Sequence, residues 1–390
     1  MKSREIHHSD SKRKKAPNFK NFFSRAKDFF ITSSNGMATG LFATLIVGTI
    51  VATIALIFKG HDLEWTDSTY NIINALAMVL KYATGFGIGL GIAYALKLDG
   101  LKLISGAISG FIAAYMSRGG TWNPKIDKFE FNFFYTEYGL KIGDPLTIFF
   151  VVVITLVLIK LIFKKKTPID IILIPLVTSL IALIVTWIIN QPVFFVTVLF
   201  RTAFLQLSNL EHWALAALAG LVIAVVMGMF LTIPMISSAA VAIIFSIDKV
   251  MGACAVVGCC CQMVGFAVQS YRDNGFAKSI SVGVGTSMLQ FKNIIKKPII
   301  WLPTIIASAI LGPIVAVLGY QCDASGAGMG TCGFVGQIAS ISGMNTAGEP
   351  WWNSLIFIGL FQIILPFVLV LIFDLIFRKT NLIKEGDLIL

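Results

Sequence analysis

The sequence predicts an all-α integral membrane protein with about ten transmembrane helices and one or two re-entrant hairpins. Hydrophobic residues make up 56% of the 390 residues and charged residues only 13%, whereas soluble domains carry about 25% charged residues. The apolar runs are long and unbroken, and the alternating pattern of outer-membrane barrel strands is absent. Between them lie Gly/Ser-rich segments, which predict broken backbone that is buried in protein or lines a cavity.

The apolar runs give the candidate spans. They lie at residues 37–58, 72–96, 101–117, 145–163, 170–189, 193–208, 213–234, 250–270, 299–319 and 353–377. The third and sixth are short, so either is a candidate re-entrant element. The predicted organisation is a basic cytoplasmic N-terminal arm (1–36), a transmembrane domain (37–378) and a cytoplasmic tail (379–390). The domain divides into candidate halves at 37–190 and 191–378.

The net charge of +11 is unevenly placed. Basic residues collect in the N-terminal arm and in alternate loops, at 97–102, 164–166, 272–297 and 378–384. By the positive-inside rule, these loops and both termini lie on the cytoplasmic side of a bacterial cell membrane. This placement favours contact with anionic lipid and argues against a nucleic-acid partner. Within the arm, Phe19–Phe30 is a candidate interfacial helix.

Two segments are too irregular for ordinary spans. Cys322–Pro350 is dominated by glycine, serine and alanine. Its glycines at 326, 328 and 330 predict a tight turn in a re-entrant hairpin, because glycine is costly inside a helix. The second segment, Ile280–Leu289, is too short to cross a membrane and too apolar for a free loop, which predicts a re-entrant or amphipathic element.

Glu349, next to Pro350, is the leading candidate for a substrate-binding residue. An acid delivered at membrane depth by broken backbone is a functional candidate, and its two oxygens accept hydrogen bonds from sugar or polyol hydroxyls. Alternatively, it caps the helix that follows. Asn345 and Thr346 are hydrogen-bonding neighbours, and Gln290 follows the second irregular segment.

Three further residues complete the candidate substrate-binding set. Gly143-Asp144-Pro145 matches Gly348-Glu349-Pro350, a weak sign of an internal repeat, so Asp144 is either a counterpart of Glu349 or a helix cap. Arg201 lies inside a span and requires a polar partner there. His212 is a helix cap or a proton carrier.

No residue pattern supports chemistry in the chain itself. No Ser/His/Asp constellation, metal-ligand spacing or cofactor motif is found, so neither a metal nor a cofactor is expected. The consecutive Cys259, Cys260 and Cys261 point three ways from a helix and suit helix contacts. Cys322 and Cys332 fall on the same predicted side, which leaves a disulfide open.

Taken together, the motifs resemble one known family. The ten predicted spans, GVGTSMLQ (Gly283–Gln290), NIIKKP (Asn293–Pro298) and Gly348-Glu349-Pro350 are similar to the membrane (IIC) component of sugar phosphotransferase systems. The similarity is strongest to a divergent, stand-alone branch, some of it labelled perfringolysin-regulator-like. Glucose-type members present a sugar-binding glutamate in Thr-Glu-Pro, of which this chain keeps the last two positions, Glu349 and Pro350.

The resemblance implies a homodimeric transporter of a sugar-like solute that moves one domain past a fixed scaffold. It also implies possible coupling to phosphorylation by separate IIA and IIB proteins. Two alternatives remain open at this stage. One is a IIC-like membrane regulator or sensor that moves no solute, and the other is a secondary transporter coupled to ions or protons.

Overall fold

The computed structural model describes residues 19–58, 64–98, 100–116, 121–123, 128–130, 142–164, 167–208, 213–242 and 248–390. Within these ranges the fold is helical except for one antiparallel pair of three-residue strands, β1 (Thr121–Asn123) and β2 (Lys128–Glu130). The predicted all-α membrane class is therefore confirmed.

The first half of the chain supplies seven α-helices, some of them extended by π or 3-10 turns. They are α1 (Phe19–Leu41), α2 (Val47–Ala55), α3 (Glu64–Tyr82), α4 (Thr84–Ala95), α5 (Gly100–Met116), α6 (Pro145–Ile162) and α7 (Asp170–Ser208). The π-helix Phe42–Ile46 joins α1 to α2, and the 3-10 turn Leu56–Phe58 follows.

The second half is more broken. Its α-helices are α8 (Trp213–Thr232), α9 (Ser238–Ala242), α10 (Lys249–Ile280), α11 (Phe291–Lys296), α12 (Leu302–Leu318), α13 (Ala324–Ala327), α14 (Val335–Thr346), α15 (Trp351–Ile356) and α16 (Leu365–Lys379). The π-helices are Ser281–Gly285 and Phe357–Ile364, and the 3-10 turns are Ser287–Gln290, Pro298–Trp301 and Cys332–Phe334.

The number of spans differs from the prediction. Among the described residues, 7 helices are long and apolar enough to cross a membrane, and the pair Thr66–Tyr82 and Thr84–Ala95, bent by 45°, adds an eighth. Gly100–Met116 is apolar but shorter, about 26 Å at 1.5 Å per residue. The chain is a multi-pass membrane protein, but the predicted count of ten is not confirmed.

The first membrane helix begins earlier than the predicted span. It starts at Phe19, and the candidate span Ser24–Ala55 contains the apolar run predicted to begin near Met37. Ser33 and Ser34 are buried in it, and the Ser34 hydroxyl donates to the Phe30 carbonyl at 2.8 Å. Such bonding to the preceding turn lets serine continue a helix in an apolar setting.

The predicted fifth and sixth spans lie on one helix. α7 runs for 39 residues, through Pro192, and its part Asp170–Asn190 is long and apolar enough to cross a membrane. Proline removes one backbone hydrogen bond and can kink a helix without ending it. The predicted sixth span is therefore the continuation of the fifth within α7 and is not a separate helix.

Contacts between helices fix their relative directions. Met227 and Thr232 of α8 meet Cys259 and Gln262 of α10 in the same order, so these two helices run parallel. Two parallel helices that follow each other along the chain require the chain to return between them, and the described part of this connection is residues 233–242. This return was not predicted.

α12 runs antiparallel to α10, and α16 runs parallel to it. Cys254, Gly258 and Gln262 of α10 bond to residues 312, 308 and 304 of α12, in descending order. On α16, Val370 lies against Gly265 and Asp374 against Gln269. We call the end where α10 starts the outer end and the opposite end the inner end, following the predicted orientation.

Two large apolar cores lie side by side. One is built mainly from residues 37–185, and the other mainly from residues 219–370. Met235, Met288 and Phe291 from the second half join the first core, and Ile46 joins the second. The irregular segments of the second half therefore lie where the two cores meet.

Candidate functional site

Three irregular segments converge between the two cores. We call them the return segment (233–242), the bent segment (281–290) and the hairpin (324–346). The Ser238 hydroxyl of the return segment donates to the Gly328 carbonyl of the hairpin at 2.7 Å. The Thr331 hydroxyl of the hairpin donates to the Gly283 carbonyl of the bent segment.

The hairpin turns at glycines, as predicted, but Gly326 lies inside α13 and only Gly328 and Gly330 of the three predicted residues follow that helix into the turn. α13 and α14 are its limbs, and its tip places Gly330 at φ 55° and Gly333 at φ 53°, in the left-handed region. A Cβ at Gly330 would lie 2.8 Å from the Cys259 carbonyl carbon. Glycine is required there both for the turn and for the close approach to α10.

The bent segment continues α10 beyond a break. Gly275 interrupts the helix at φ 74°, and a π-turn follows as far as Gly285. Thr286 is then extended, and its hydroxyl caps the 3-10 turn by accepting from the Met288 amide at 3.2 Å. The segment predicted to be re-entrant or amphipathic is thus a buried, bent continuation of α10.

Both the hairpin tip and the bent segment touch the first half. A Cβ at Gly285 would lie 2.5 Å from the Phe42 ring, and one at Gly333 would lie 2.8 Å from Ile50. Gly285 faces the ring of Phe42, whereas Gly333 faces both the side chain and the backbone of Ile50. Any relative motion of the two halves would have to change these contacts.

A set of buried polar side chains, the central polar cluster, lies where the return and bent segments meet α10. Its members are Thr232, Gln262, Ser287, Trp301 and Thr304. Gln262 Oε1 accepts from Trp301 Nε1 at 2.8 Å, from the Thr304 hydroxyl at 2.9 Å and from the Thr232 hydroxyl at 3.4 Å. The Thr232 and Ser287 hydroxyls are 3.0 Å apart.

The side-chain nitrogen of Gln262 is left without a hydrogen-bond partner. Trp301 Nε1 can only donate, so the oxygen of Gln262 must face it and the orientation of the amide is fixed. Gln262 is fully buried, and its Nε2 has no hydrogen-bond partner in the described part of the chain. An unpaired buried donor costs about 1–3 kcal/mol, which a hydroxyl oxygen of a solute would relieve.

The position of this donor is suited to a solute pathway. Gln262 lies 13 residues from the start of α10 and 13 from the break at Gly275, about 20 Å from each. It therefore sits near the middle of the span, next to the irregular segments.

A second polar group secures the hairpin from the other side. Gln337 Nε2 donates to Gln362 Oε1 at 2.8 Å, and Gln362 Nε2 donates to the Ser340 hydroxyl at 2.7 Å. Gln362 lies on the π-helix Phe357–Ile364. These bonds tie α14 to the last span through donors and acceptors that lipid could not satisfy.

Of the predicted site residues, Asn345, Thr346 and Glu349 lie together at the outer end. All three are exposed. Glu349 Oε2 accepts from Asn353 Nδ2 at 2.7 Å, and the Thr346 hydroxyl accepts from Lys249 Nζ at 2.5 Å. This group is open to the outer surface.

Asp323 supplies a nearby charge. Its carboxylate lies 3.0 Å from Lys249 Nζ and accepts a hydrogen bond from the Ser342 hydroxyl. Partial burial would raise the pKa of Asp323, but the bonds from Ser342 and Lys249 outweigh it and lower that pKa.

Asp144 and Gln290 lie elsewhere. Asp144 caps α6, where its carboxylate accepts from the Thr147 amide and hydroxyl, and burial raises the pKa of Asp144. Gln290 is buried near the inner end, where it bonds Ser270 of α10. Ser270 comes 21 positions after Lys249 in α10, so Gln290 lies about 32 Å from the Thr346 group. One small solute therefore cannot contact both Gln290 and Thr346.

The remaining predicted residues are Arg201, His212 and the cysteines. Arg201 belongs to α7, whose backbone is described at that position. His212 lies outside the described residues. The six cysteines are free and buried, so Cys322 and Cys332 do not form a disulfide.

Local backbone supports the likeness between the two Gly-acid-Pro motifs. Gly143 has φ 75° and Gly348 has φ 77°, and a helix begins at Pro145 and directly after Pro350. The acids differ, because Asp144 caps its helix whereas Glu349 bonds one turn further on, to Asn353.

A cavity of about 520 Å³ lies on the inner side of the hairpin tip. Thr331 and Phe334 of the tip, Gly283 of the bent segment and Phe367 of α16 contribute to its mostly apolar walls. Apolar walls do not suit a polyhydroxylated solute, so the central polar cluster is the better candidate for solute binding.

Sequence reasoning missed every member of the central polar cluster. The available signal was glutamine inside otherwise apolar runs, in CCCQMVG and LFQIILP. Polar side chains in spans almost always face the protein interior or a cavity.

The helical spans, the buried polar interior and the broken elements define a multi-pass membrane protein. The phosphotransferase system EIIC family matches residues 31–390. The chain therefore belongs to the phosphotransferase system EIIC family, and it is a membrane component of a sugar-transporting phosphotransferase system. No curated protein matches it.

Proposed function

We propose that the chain carries a small, sugar-like solute across the bacterial cytoplasmic membrane by an elevator-type, alternating-access mechanism. The observation that supports this most directly is the central polar cluster, where a buried amide donor without a partner lies beside the return and bent segments. Transporters bind substrates near the membrane midplane, where helices are discontinuous.

In this proposal the solute hydroxyls complete the hydrogen bonding of the cluster. Gln262 Nε2 donates to a hydroxyl oxygen of the solute, while Thr232 and Ser287 offer hydroxyls that both donate and accept. A sugar presents several hydroxyls of the same dual character. An ion or an apolar solute would satisfy this set less well.

Glu349, with Asn345 and Thr346, is proposed as the outer contact for the solute. The Glu349 carboxylate is exposed, and its hydrogen bond with Asn353 is exchangeable for a bond to a sugar hydroxyl. Gln290 is left out of the proposed site, because both of its N–H groups and its oxygen already have protein partners.

The packing within each half favours motion between the halves. In the first half, Cβ positions at Gly36 and Gly40 would lie 2.4 and 2.1 Å from carbonyl oxygens of α4. Helices in such backbone contact form a rigid unit. The boundary between the halves includes side-chain contacts such as Phe42 with Gly285, which can re-form after a displacement.

Separate proteins complete the proposed system. We propose that IIA and IIB proteins donate phosphate to the solute at the inner face and that the chain acts as a homodimer. The basic residues of the inner loops support a cytoplasmic position for that face and for both termini.

The test is solute binding and uptake with a matched pair of variants. Purified protein is screened by thermal shift against mono- and disaccharides, and hits are tested for uptake in vesicles with and without phosphoenolpyruvate and IIA/IIB proteins. Gln262→Met removes the amide donor, and Gln337→Met makes the same change at another buried glutamine. We expect Gln262→Met to weaken binding about tenfold and Gln337→Met to preserve it.

The outcomes separate the possibilities. Equal binding by the two variants, with both proteins folded, rejects the central polar cluster as the solute site. Binding without uptake under any condition rejects transport and leaves a membrane sensor.

A further inference from the structure

Residues 380–390, which we call the strap, fold back onto the inner end of the molecule. Ile383 and Leu388 anchor the strap, with exposed fractions of 1% and 0%. They join a small apolar core with four other buried side chains, Phe266, Val282, Ile294 and Ile300. One of these, Val282, belongs to the bent segment.

Side chains from three elements, α10, the 3-10 turn Ser287–Gln290 and α11, bind the strap backbone. Asn274 holds it from both sides, donating to the Leu388 carbonyl at 2.7 Å and accepting from the Leu390 amide at 2.8 Å. Gln290 Nε2 donates to the same Leu388 carbonyl at 2.9 Å. Asn293 Nδ2 donates to the Ile389 carbonyl at 3.0 Å.

Charged groups add to this attachment. The Leu388 amide donates to Asp273 Oδ2 at 3.0 Å, and Lys297 Nζ lies 2.5 Å from Asp387 Oδ2. The strap therefore joins the end of α10, which carries Asn274 and Asp273, to the 290–297 region.

The strap is also connected to the central polar cluster. Ser287 and Gln290 are the first and last residues of one 3-10 turn. Side chains three residues apart in a 3-10 helix are eclipsed, so Ser287 and Gln290 lie on the same side of this single turn. Gln290 binds the strap, and Ser287 contacts Thr232 of the cluster.

We propose that the strap is an inner-side lock, which holds the 287–290 turn, and with it Ser287 of the central polar cluster, in the closed arrangement. Release of the strap frees this turn and opens the inner side. The consequence for transport rests on the proposed function, whereas the mechanical coupling does not.

Hydrogen–deuterium exchange of the purified full-length protein tests the lock. The matched pair is Leu388→Ala, at a buried anchor, and Ile389→Ala, whose side chain is 54% exposed. We expect Leu388→Ala to speed amide exchange in peptides covering 286–297 roughly tenfold. Ile389→Ala leaves those peptides unchanged, and peptides from α5 and α8 are unchanged in both variants.

Two results would overturn the proposal. In the first, Leu388→Ala exposes residues 380–390 while 286–297 keep their protection, so the strap holds nothing. In the second, exchange rises equally in α5 and α8, so the strap only contributes to global stability. Asn274→Ala, which removes both bonds to the strap, is the second variant if Leu388→Ala does not fold.

Flux measurements examine the transport part separately. In vesicles that take up a solute, we expect faster downhill flux with Leu388→Ala than with Ile389→Ala. Equal fluxes overturn the gating role even if exchange supports the lock. A wild-type protein that moves no solute contradicts the proposed function and leaves the exchange result standing.

Discussion

Gly330→Ala tests whether the hairpin tip packs against α10. Gly330 has φ 55°, and a Cβ there would lie 2.8 Å from the Cys259 carbonyl carbon and 3.0 Å from the Cys259 Cβ. The left-handed conformation costs alanine about 1–2 kcal/mol. Because backbone atoms cannot step aside as a flexible side chain can, overpacking adds about 1–3 kcal/mol.

Gly319→Ala is the matched control. Gly319 has φ 70° and ends α12, but nothing lies within 4 Å of its Cβ position. This variant carries only the conformational cost. The difference between the two variants, about 1–3 kcal/mol, therefore measures the contact of the tip with α10.

The assay is unfolding of the purified protein in detergent, followed by heat or denaturant under identical conditions. We expect both variants to be destabilised and Gly330→Ala to be clearly the less stable. Equal destabilisation would refute the packing of the tip on Cys259 and, with it, the position of the hairpin between the two cores.

Three other predictions concern charges and thiols. Arg378→Met leaves Asp374 buried without its 2.8 Å ion-pair partner, so we expect a loss of about 3–5 kcal/mol in the free energy of unfolding. The control, Lys379→Met, changes an exposed residue and should cost little. Similar losses in the two variants would contradict the ion pair. Burial would raise the pKa of Asp387, but hydrogen bonding and charge from Lys297 outweigh it and lower that pKa. The stabilisation of the strap by ionised Asp387 is therefore fully present above the unfolded pKa of about 3.9 and is lost as the pH falls through the folded pKa. We expect protection of the strap against protease to follow that pH dependence and Asp387→Asn to remove the pH dependence. A pH dependence that persists in this variant would contradict the role of Asp387. The six buried cysteines should react with a maleimide only after denaturation, and labelling of the folded protein would contradict their burial.

Much of the architecture followed from composition and glycine placement. Long apolar runs predict helices because lipid leaves no other way to satisfy the backbone, and the glycines near residue 330 predicted a turn that the structure contains. It was harder to predict which apolar runs join into one helix and in which direction neighbouring helices run. α7 continues through Pro192, and the parallel course of α8 and α10 depends on long-range contacts.

The candidate site was less predictable than the fold. Glu349 drew attention as an acid in broken backbone, and it lies exposed at the outer end beside Asn353. Gln262 is one polar residue in an apolar run, and its unpaired donor becomes evident only when Trp301 and Thr304 from a distant helix occupy its oxygen. The hydrogen bonding of Gln290 likewise depends on a residue about one hundred positions away, Leu388.

A structure of the protein in lipid with a bound sugar tests the central claim most directly. A hit from the thermal-shift screen would be added to protein in nanodiscs for electron cryomicroscopy. The account predicts sugar density between the two cores, with a hydroxyl oxygen within hydrogen-bond distance of Gln262 Nε2. Density confined to the outer end around Glu349, with Gln262 still unpaired, would contradict it.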